Sequence, residues 1–235
     1  MRALRSRVIA AAAFAAAFAS APAGASELGF YVGFLYGDRS QELDIATFGG
    51  WATQVYADFG HVAELRRYTS EDDGKAYGFL AGYRLTRHLA FEGAYMFLGK
   101  QRYREQANGF FFPPQGDPQA EVWDLSLTSE TSGFALSAVG ILPISYSWEL
   151  YARAGVLIGS NSLSLWANSA NDPGSPHGMT INESSTDWLA GAGISVSLAE
   201  VYSLRAEFTR IFDAGAEAFG EADADVVTIG ITVAF

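Results

Sequence analysis

The chain has 235 residues, a formal charge of −11 at pH 7 and no cysteine. So acidic a surface repels a polyanion, which argues against a nucleic-acid partner, and without thiols neither disulfides nor cysteine chemistry is available. Charged residues make up only 17%, against roughly 25% in soluble domains, while glycine (25 residues) and aromatics (14%) are plentiful, a mix that suits a curved sheet with interfacial rings.

In chain order, Arg2, Arg5 and Arg7 precede an apolar run from Val8 to Ala19, and Ala23–Ala25 supplies a small-residue cleavage site. This pattern predicts a secretory signal peptide over residues 1–25. The run is shorter than the ~20 apolar residues that a helical span needs, and no later run reaches that length. Losing the three arginines takes the formal charge from −11 to −14. Residues 26–235 are expected to form one domain.

Strict alternation of apolar and small or polar residues then predicts eight strands. They cover Leu28–Tyr36, Lys75–Leu85, Leu89–Gly99, Thr131–Leu142, Trp148–Ile158, Asp187–Leu198, Val201–Phe212 and Val226–Phe235. The last is the clearest: Val227, Ile229, Ile231, Val233 and Phe235 share one apolar face, with Thr228, Gly230, Thr232 and Ala234 on the other. The connections alternate. Short turns fall at Thr86–His88, Pro143–Ser147 and Ala199–Glu200, and long external loops at about 37–74, 100–130, 159–186 and 213–225. Pro113 and Pro114 argue against a central strand in the second of these. Short turns alternating with long loops, and apolar faces with no chain left to cover them, predict an all-β fold: an eight-stranded antiparallel up-and-down transmembrane β-barrel. An even strand number places both ends in the periplasm. Tyr36, Tyr77, Phe97, Phe134, Trp188 and Phe212 would ring the loop side, and Tyr83, Phe91, Trp148, Tyr202 and Phe235 the turn side.

Two stretches carry a resemblance. Thr228, Gly230, Val233 and Phe235, as polar-x-Gly-x-x-apolar-x-apolar, resemble the assembly signal of bacterial outer-membrane barrels. Gly82-Tyr83-Arg84, a turn, then Ala90, Glu92 and Tyr95 are similar to a hairpin of the OmpA-like small outer-membrane β-barrel family, and Leu204–Phe208 resembles that family's seventh strand. The resemblance implies a Gram-negative outer membrane, with lipid and lipopolysaccharide around the barrel and the barrel-assembly machinery reading the last strand. No peptidoglycan-binding segment is read after Phe235, so an anchoring role is not expected.

Residues opposite the apolar faces should enter the lumen. These include Arg84, Glu92, Glu149, Tyr151, Arg153, Arg205 and Glu207. Three acids and three bases balance, and charges in a narrow barrel are costly unless paired, which predicts an ion-pair network inside a polar interior. The expected role of the network is a structural plug, with a gated pore as the alternative.

No catalytic residue, cofactor or metal is assigned. His61 and His177 fall in external loops and His88 in a turn, without a nucleophile–base pattern. The acid clusters Glu71-Asp72-Asp73 and Glu221, Asp223, Asp225 lack EF-hand spacing. Apolar stretches at 44–59 and Phe110–Phe112 suggest loop packing or a partner surface. The functional expectation is therefore non-enzymatic: a structural or surface-interaction protein that meets its ligand through acidic external loops. A small-solute or ion pore is the alternative, and a lipid-modifying enzyme ranks third.

Overall fold

The computed structural model describes residues 29–41, 53, 56–57, 61–71, 74–112, 117–169, 177–214 and 222–235. The signal-peptide segment 1–25, Pro113, Pro114, Asp72, Asp73 and Glu221 lie outside them. The described residues form nine strands: β1 (Gly29–Gln41), β2 (His61–Glu71), β3 (Gly74–Thr86), β4 (Leu89–Phe111), β5 (Gln119–Pro143), β6 (Trp148–Ser169), β7 (His177–Ser197), β8 (Tyr202–Ala214) and β9 (Ala222–Ala234).

Eight of them close a ring. The order β4-β3-β1-β9-β8-β7-β6-β5 returns to β4 through a β4–β5 pairing, and every pair is antiparallel. The ninth, β2, pairs with β4 over Arg102–Phe111, whereas β3 pairs with the lower part of the same β4 edge, up to Phe97. β2 and β3 are thus two segments of one strand position. The architecture is an eight-stranded antiparallel barrel with a broken second position.

The outward faces match the alternation. Phe30, Phe34, Tyr36, Tyr77, Phe79, Tyr83, Phe91, Tyr95, Phe134, Leu136, Trp188, Phe208 and Ile229 are all exposed large apolar residues, as lipid-facing side chains must be. Tyr77 stacks on Phe97 at a centroid distance of 4.7 Å, within the outer aromatic belt.

Two of the segments expected as loops, 100–130 and 159–186, are mostly paired strand. β4, β5, β6 and β7 run 23, 25, 22 and 21 residues, against 13 in each of β1, β3, β8 and β9. A membrane crossing needs only about 9–11 residues, so β4 to β7 and β2 rise above the outer rim on one side. The physical reason is an inversion of the alternation. On β6 the outward face passes from Leu150, Val156 and Ile158 to Ser160, Ser162 and Ser164, while the inward face passes from Glu149 and Arg153 to Leu163 and Leu165. Below the rim the outside meets lipid; above it the outside meets water and the inside holds the apolar core. That upper core contains Tyr103, Trp123, Leu125, Leu127, Leu163 and Leu165. Tyr56, one of the few described residues of the first connection and helical in backbone, packs edge-on against Trp123 at 6.2 Å.

Gly99 makes the change of level on β4. Its φ of +82° is a left-handed conformation, and the register slips there between Phe97 and Lys100. A Cβ at that site would approach the backbone of Gly74 and Lys75 at 3.0 Å. Only glycine takes this backbone without strain. The bulge also reverses side-chain parity: even-numbered residues such as Glu92 and Leu98 face inward below it, odd-numbered ones such as Tyr103 and Glu105 above it.

Candidate functional site: the charged lumen

The lumen is built in levels. Nearest the short turns, Arg84 on β3 meets Glu149 on β6 at 2.7 Å, with side chains 21% and 25% exposed. Arg84 also donates to the Arg87 carbonyl in the adjoining turn. Deeper in, Glu92 on β4, Arg153 on β6, and Arg205 and Glu207 on β8 form one cluster, each side chain 6% exposed or less. Arg205 donates to Glu92 at 2.5 Å and to Glu207 at 3.2 Å. Arg153 lies 3.0 Å from Glu207 and 3.9 Å from Glu92. The six charged residues read from the sequence therefore divide into a half-open pair and a buried quartet.

Two tyrosines complete the quartet. Tyr31 on β1 donates to Glu92 at 2.7 Å, and Tyr151 on β6 donates to Glu207 at 2.9 Å while accepting from Arg205 Nε at 3.1 Å. The Arg205 guanidinium lies 4.3 Å from the Tyr151 ring centroid, a cation–π distance. Thr209 donates to the second Glu207 oxygen at 2.7 Å. Glycines make room for both rings: a Cβ on Gly82 or Gly193 would collide with Tyr31 or Tyr151 respectively. Tyr31 and Thr209 were not singled out from the sequence, although both lie on lumen-facing positions; strand parity is the signal that could have found them. Two carboxylates against two guanidiniums leave the quartet neutral, and hydroxyls bond both Glu207 oxygens and Glu92 Oε1, but Glu92 Oε2 meets only Arg153 at 3.9 Å, so the desolvation cost is offset in part.

Above the quartet the interior turns apolar. Leu35, Leu80, Met96, Leu98, Leu157 and Ile211 are buried in one cluster that draws on strands all round the ring. The expectation of a polar interior is corrected here: it describes the periplasmic half of the lumen, and farther out a hydrocarbon plug lies among buried Arg39, Gln41, Gln101, Thr131, Asn161 and Asp187. Below the quartet a cavity of about 740 Å³ is lined by Tyr31, Arg84, Glu92, Glu149, Tyr151 and Arg205, and it lies at the turn end of the barrel.

Among the described residues no group of acids and histidines could hold a metal ion. His88 sits in its turn with Nδ1 3.1 Å from the Ile141 carbonyl. His61 and His177 are the first residues of β2 and β7. On the last strand, Thr228 faces the lumen and is buried, Gly230 lies against Leu35 and the Phe34 carbonyl, Val233 is half-buried, and the Phe235 N–H donates to the Phe30 carbonyl at 2.9 Å.

Residues 9–235 match the outer membrane protein beta-barrel domain family. The chain belongs to that family. It is thus an outer-membrane barrel of a Gram-negative bacterium, and the aromatic belts and lipid-facing strands have their setting. No curated protein sequence matches it. Among solved structures it is similar to Ail, the attachment invasion locus protein of Yersinia pestis (11% identity, 88% of this chain and 99% of that one, TM-score 0.47). It is also similar to Neisserial surface protein A (16%, 90% and 99%, 0.42) and to the N-terminal barrel of Pseudomonas aeruginosa OprF (12%, 88% and 98%, 0.43). Likeness at this level carries no argument about function. Within the outer-membrane barrel, each quartet carboxylate pairs with guanidinium groups and accepts at least one hydroxyl.

Proposed function

We propose that this outer-membrane barrel is non-enzymatic and serves as a structural and surface-interaction element, meeting its ligand through the parts that rise above the outer rim. The observation that carries this reading is the apolar layer around Leu98 and Leu157, both 0% exposed, which fills the lumen above the ion quartet and leaves the raised β4–β7 wall as the accessible surface. On this reading lipopolysaccharide surrounds the wall, and the barrel-assembly machinery reads Thr228, Gly230, Val233 and Phe235 on the final strand.

The second reading is a pore for small solutes or ions, favoured by the cavity that reaches the quartet from the turn end. Conductance decides between them. The protein refolded into planar bilayers is expected to give no reproducible single-channel steps, like its boiled control. Steady conductance that changes in Arg153→Ala or Glu92→Ala would make it a pore.

A truncation tests the surface role itself. Lys100 and Glu130 face each other across β4 and β5, so a two-residue turn placed directly after them removes the raised hairpin while leaving the membrane-spanning register. Cells carrying the full chain are expected to show surface adhesion, and cells carrying this variant to keep an assembled barrel and lose it. Adhesion retained alongside an assembled barrel would count against the role.

A further inference from the structure

The raised wall carries an aromatic ring on its outside that neither the lipid nor the upper core accounts for. Trp166 is 54% exposed on β6, and the register puts it between Ser126 of β5 and Gly178 of β7. A Cβ built on Gly178 would lie 3.5 Å from Cδ2, Cε2 and Cε3 of the indole alike, so the ring lies face-on over the glycine. An aromatic ring laid there fills the gap that a strand glycine leaves. That packing uses one face of the ring and turns the other outward. The next row down holds Thr128, Ser164 and Thr180, with the Ser164 and Thr180 hydroxyls 3.3 Å apart. From 160 to 168 on β6 and from 178 to 186 on β7, the outward positions carry only serine, threonine, asparagine, glycine and this tryptophan. The charges described on the outside of the wall stand on β2, β4 and β5. They are Arg67, Arg102 with Glu71 opposite it in the register, Arg104 in the Trp166 row, Lys100 paired with Glu130, and Asp124 bonded by Gln106.

Membrane anchoring does not explain the ring. Trp166 lies eight residues beyond Ile158, an exposed apolar residue of the lipid-facing stretch. At about 3.3 Å per residue and a tilt of about 40°, that is roughly 20 Å higher. Simple phospholipid headgroups extend only ~5–8 Å beyond the hydrocarbon, so the interfacial belt ends well below it. A wholly apolar ligand does not fit either, because it would cover the neighbouring hydroxyls and leave them without partners. A pyranose ring meets both demands. Its face of axial C–H groups packs on the electron-rich face of the indole. Its rim of hydroxyls exchanges hydrogen bonds with serine and threonine, which donate and accept alike. Rows along a strand stand roughly 7 Å apart and diagonal neighbours about 7–8 Å, so a sugar seated over Trp166 and Gly178 has Thr180 and Ser164 at its edge. β8 pairs with β7 only from Leu189 to Ser197, so among the described residues no strand flanks Gly178 on its far side. With no ionisable residue at the outward positions of β6 and β7 here, the sugar that fits carries no charge.

We propose that Trp166, with Ser164 and Thr180 beside it, forms a binding site for a neutral pyranoside stacked on the outward face of the indole. This names a ligand class for the surface-interaction reading and rests on it. The test uses the protein refolded into phosphatidylcholine vesicles free of lipopolysaccharide, with the methyl glycosides of glucose, galactose, mannose and N-acetylglucosamine as probes. Saturation-transfer NMR is expected to show saturable binding of at least one of them at millimolar concentration, with the strongest signals from the C–H groups of one ring face. Trp166→Ala should weaken that binding at least tenfold, and Trp166→Phe should keep part of it. Ser164→Ala/Thr180→Val, which leaves the indole in place, should weaken it several-fold. All three variants should keep the wild-type β-sheet circular dichroism, which shows an intact barrel. Binding of none of the four sugars, or binding undiminished in Trp166→Ala, would overturn the site. Adhesion that still depends on the β4–β5 hairpin would then leave the surface-interaction reading standing. Repeating the titration in vesicles that contain lipopolysaccharide with neutral outer sugars identifies the source. If the free glycoside is shut out, a neighbouring lipid supplies the pyranoside; if it binds as before, the pyranoside comes from another surface. Either result supports the site.

Discussion

Glu207→Ala is expected to lower the unfolding free energy of the barrel by about 3–5 kcal/mol, the cost of stranding buried charge. Glu207 has four partners: Arg153 at 3.0 Å, Arg205 at 3.2 Å, Tyr151 at 2.9 Å and Thr209 at 2.7 Å. Its loss leaves Arg153 with Glu92 at 3.9 Å as its one remaining carboxylate in the quartet, with water largely excluded. The double variant Glu207→Met/Arg153→Met removes one charge of each sign and should recover at least half of that loss, because a buried pair can be exchanged for apolar groups at little net cost. Glu149→Ala is the control. Its pair with Arg84 is about a quarter exposed, so water can hydrate the survivor and the expected loss is below about 1 kcal/mol. Reversible urea unfolding in lipid vesicles, followed by tryptophan fluorescence, measures all three. A Glu207→Ala loss as small as that of Glu149→Ala would mean that the quartet is hydrated.

The quartet was within reach of the sequence because each member lies at a lumen-facing position on a strand whose other face is plainly apolar. Alternation names the face, and the short turns hold the register on the periplasmic side, so Glu92, Arg153, Arg205 and Glu207 can all be assigned inward. Level is a different matter. Glu92 and Leu98 occupy the same face of β4, one in the charge cluster and the other in the hydrocarbon plug. The difference comes from pairing registers around the ring, which one strand does not carry. The raised wall was hidden for a related reason. Above Gly99 the outward residues are Arg102, Arg104, Gln106 and Asn108, a composition that reads as loop until Tyr103, Ala107, Trp123 and Leu125 are seen to form the opposite, buried face. Gly99 itself reverses the parity, and nothing in its neighbours marks it apart from the chain's other glycines.

The hydrocarbon plug predicts that leucine deletions on the two faces of one sheet will differ sharply. Leu157 on β6 is fully buried among the interior residues of the plug, whereas Leu136 on β5 is 48% exposed on the lipid side. Leu157→Ala leaves a void enclosed by rigid strands, for an expected loss of about 2–5 kcal/mol. Leu136→Ala leaves a gap that an acyl chain can fill, and lipid tails are as apolar as leucine, so the expected loss is about 1 kcal/mol or less. The same unfolding assay reads both. In detergent micelles of short chain length the Leu136→Ala penalty should grow, because the substitute solvent packs less well, while the Leu157→Ala penalty should stay unchanged. Equal losses for the two variants in vesicles would mean that Leu157 is reached by solvent, and the closed lumen on which the surface-interaction reading depends would fall with it.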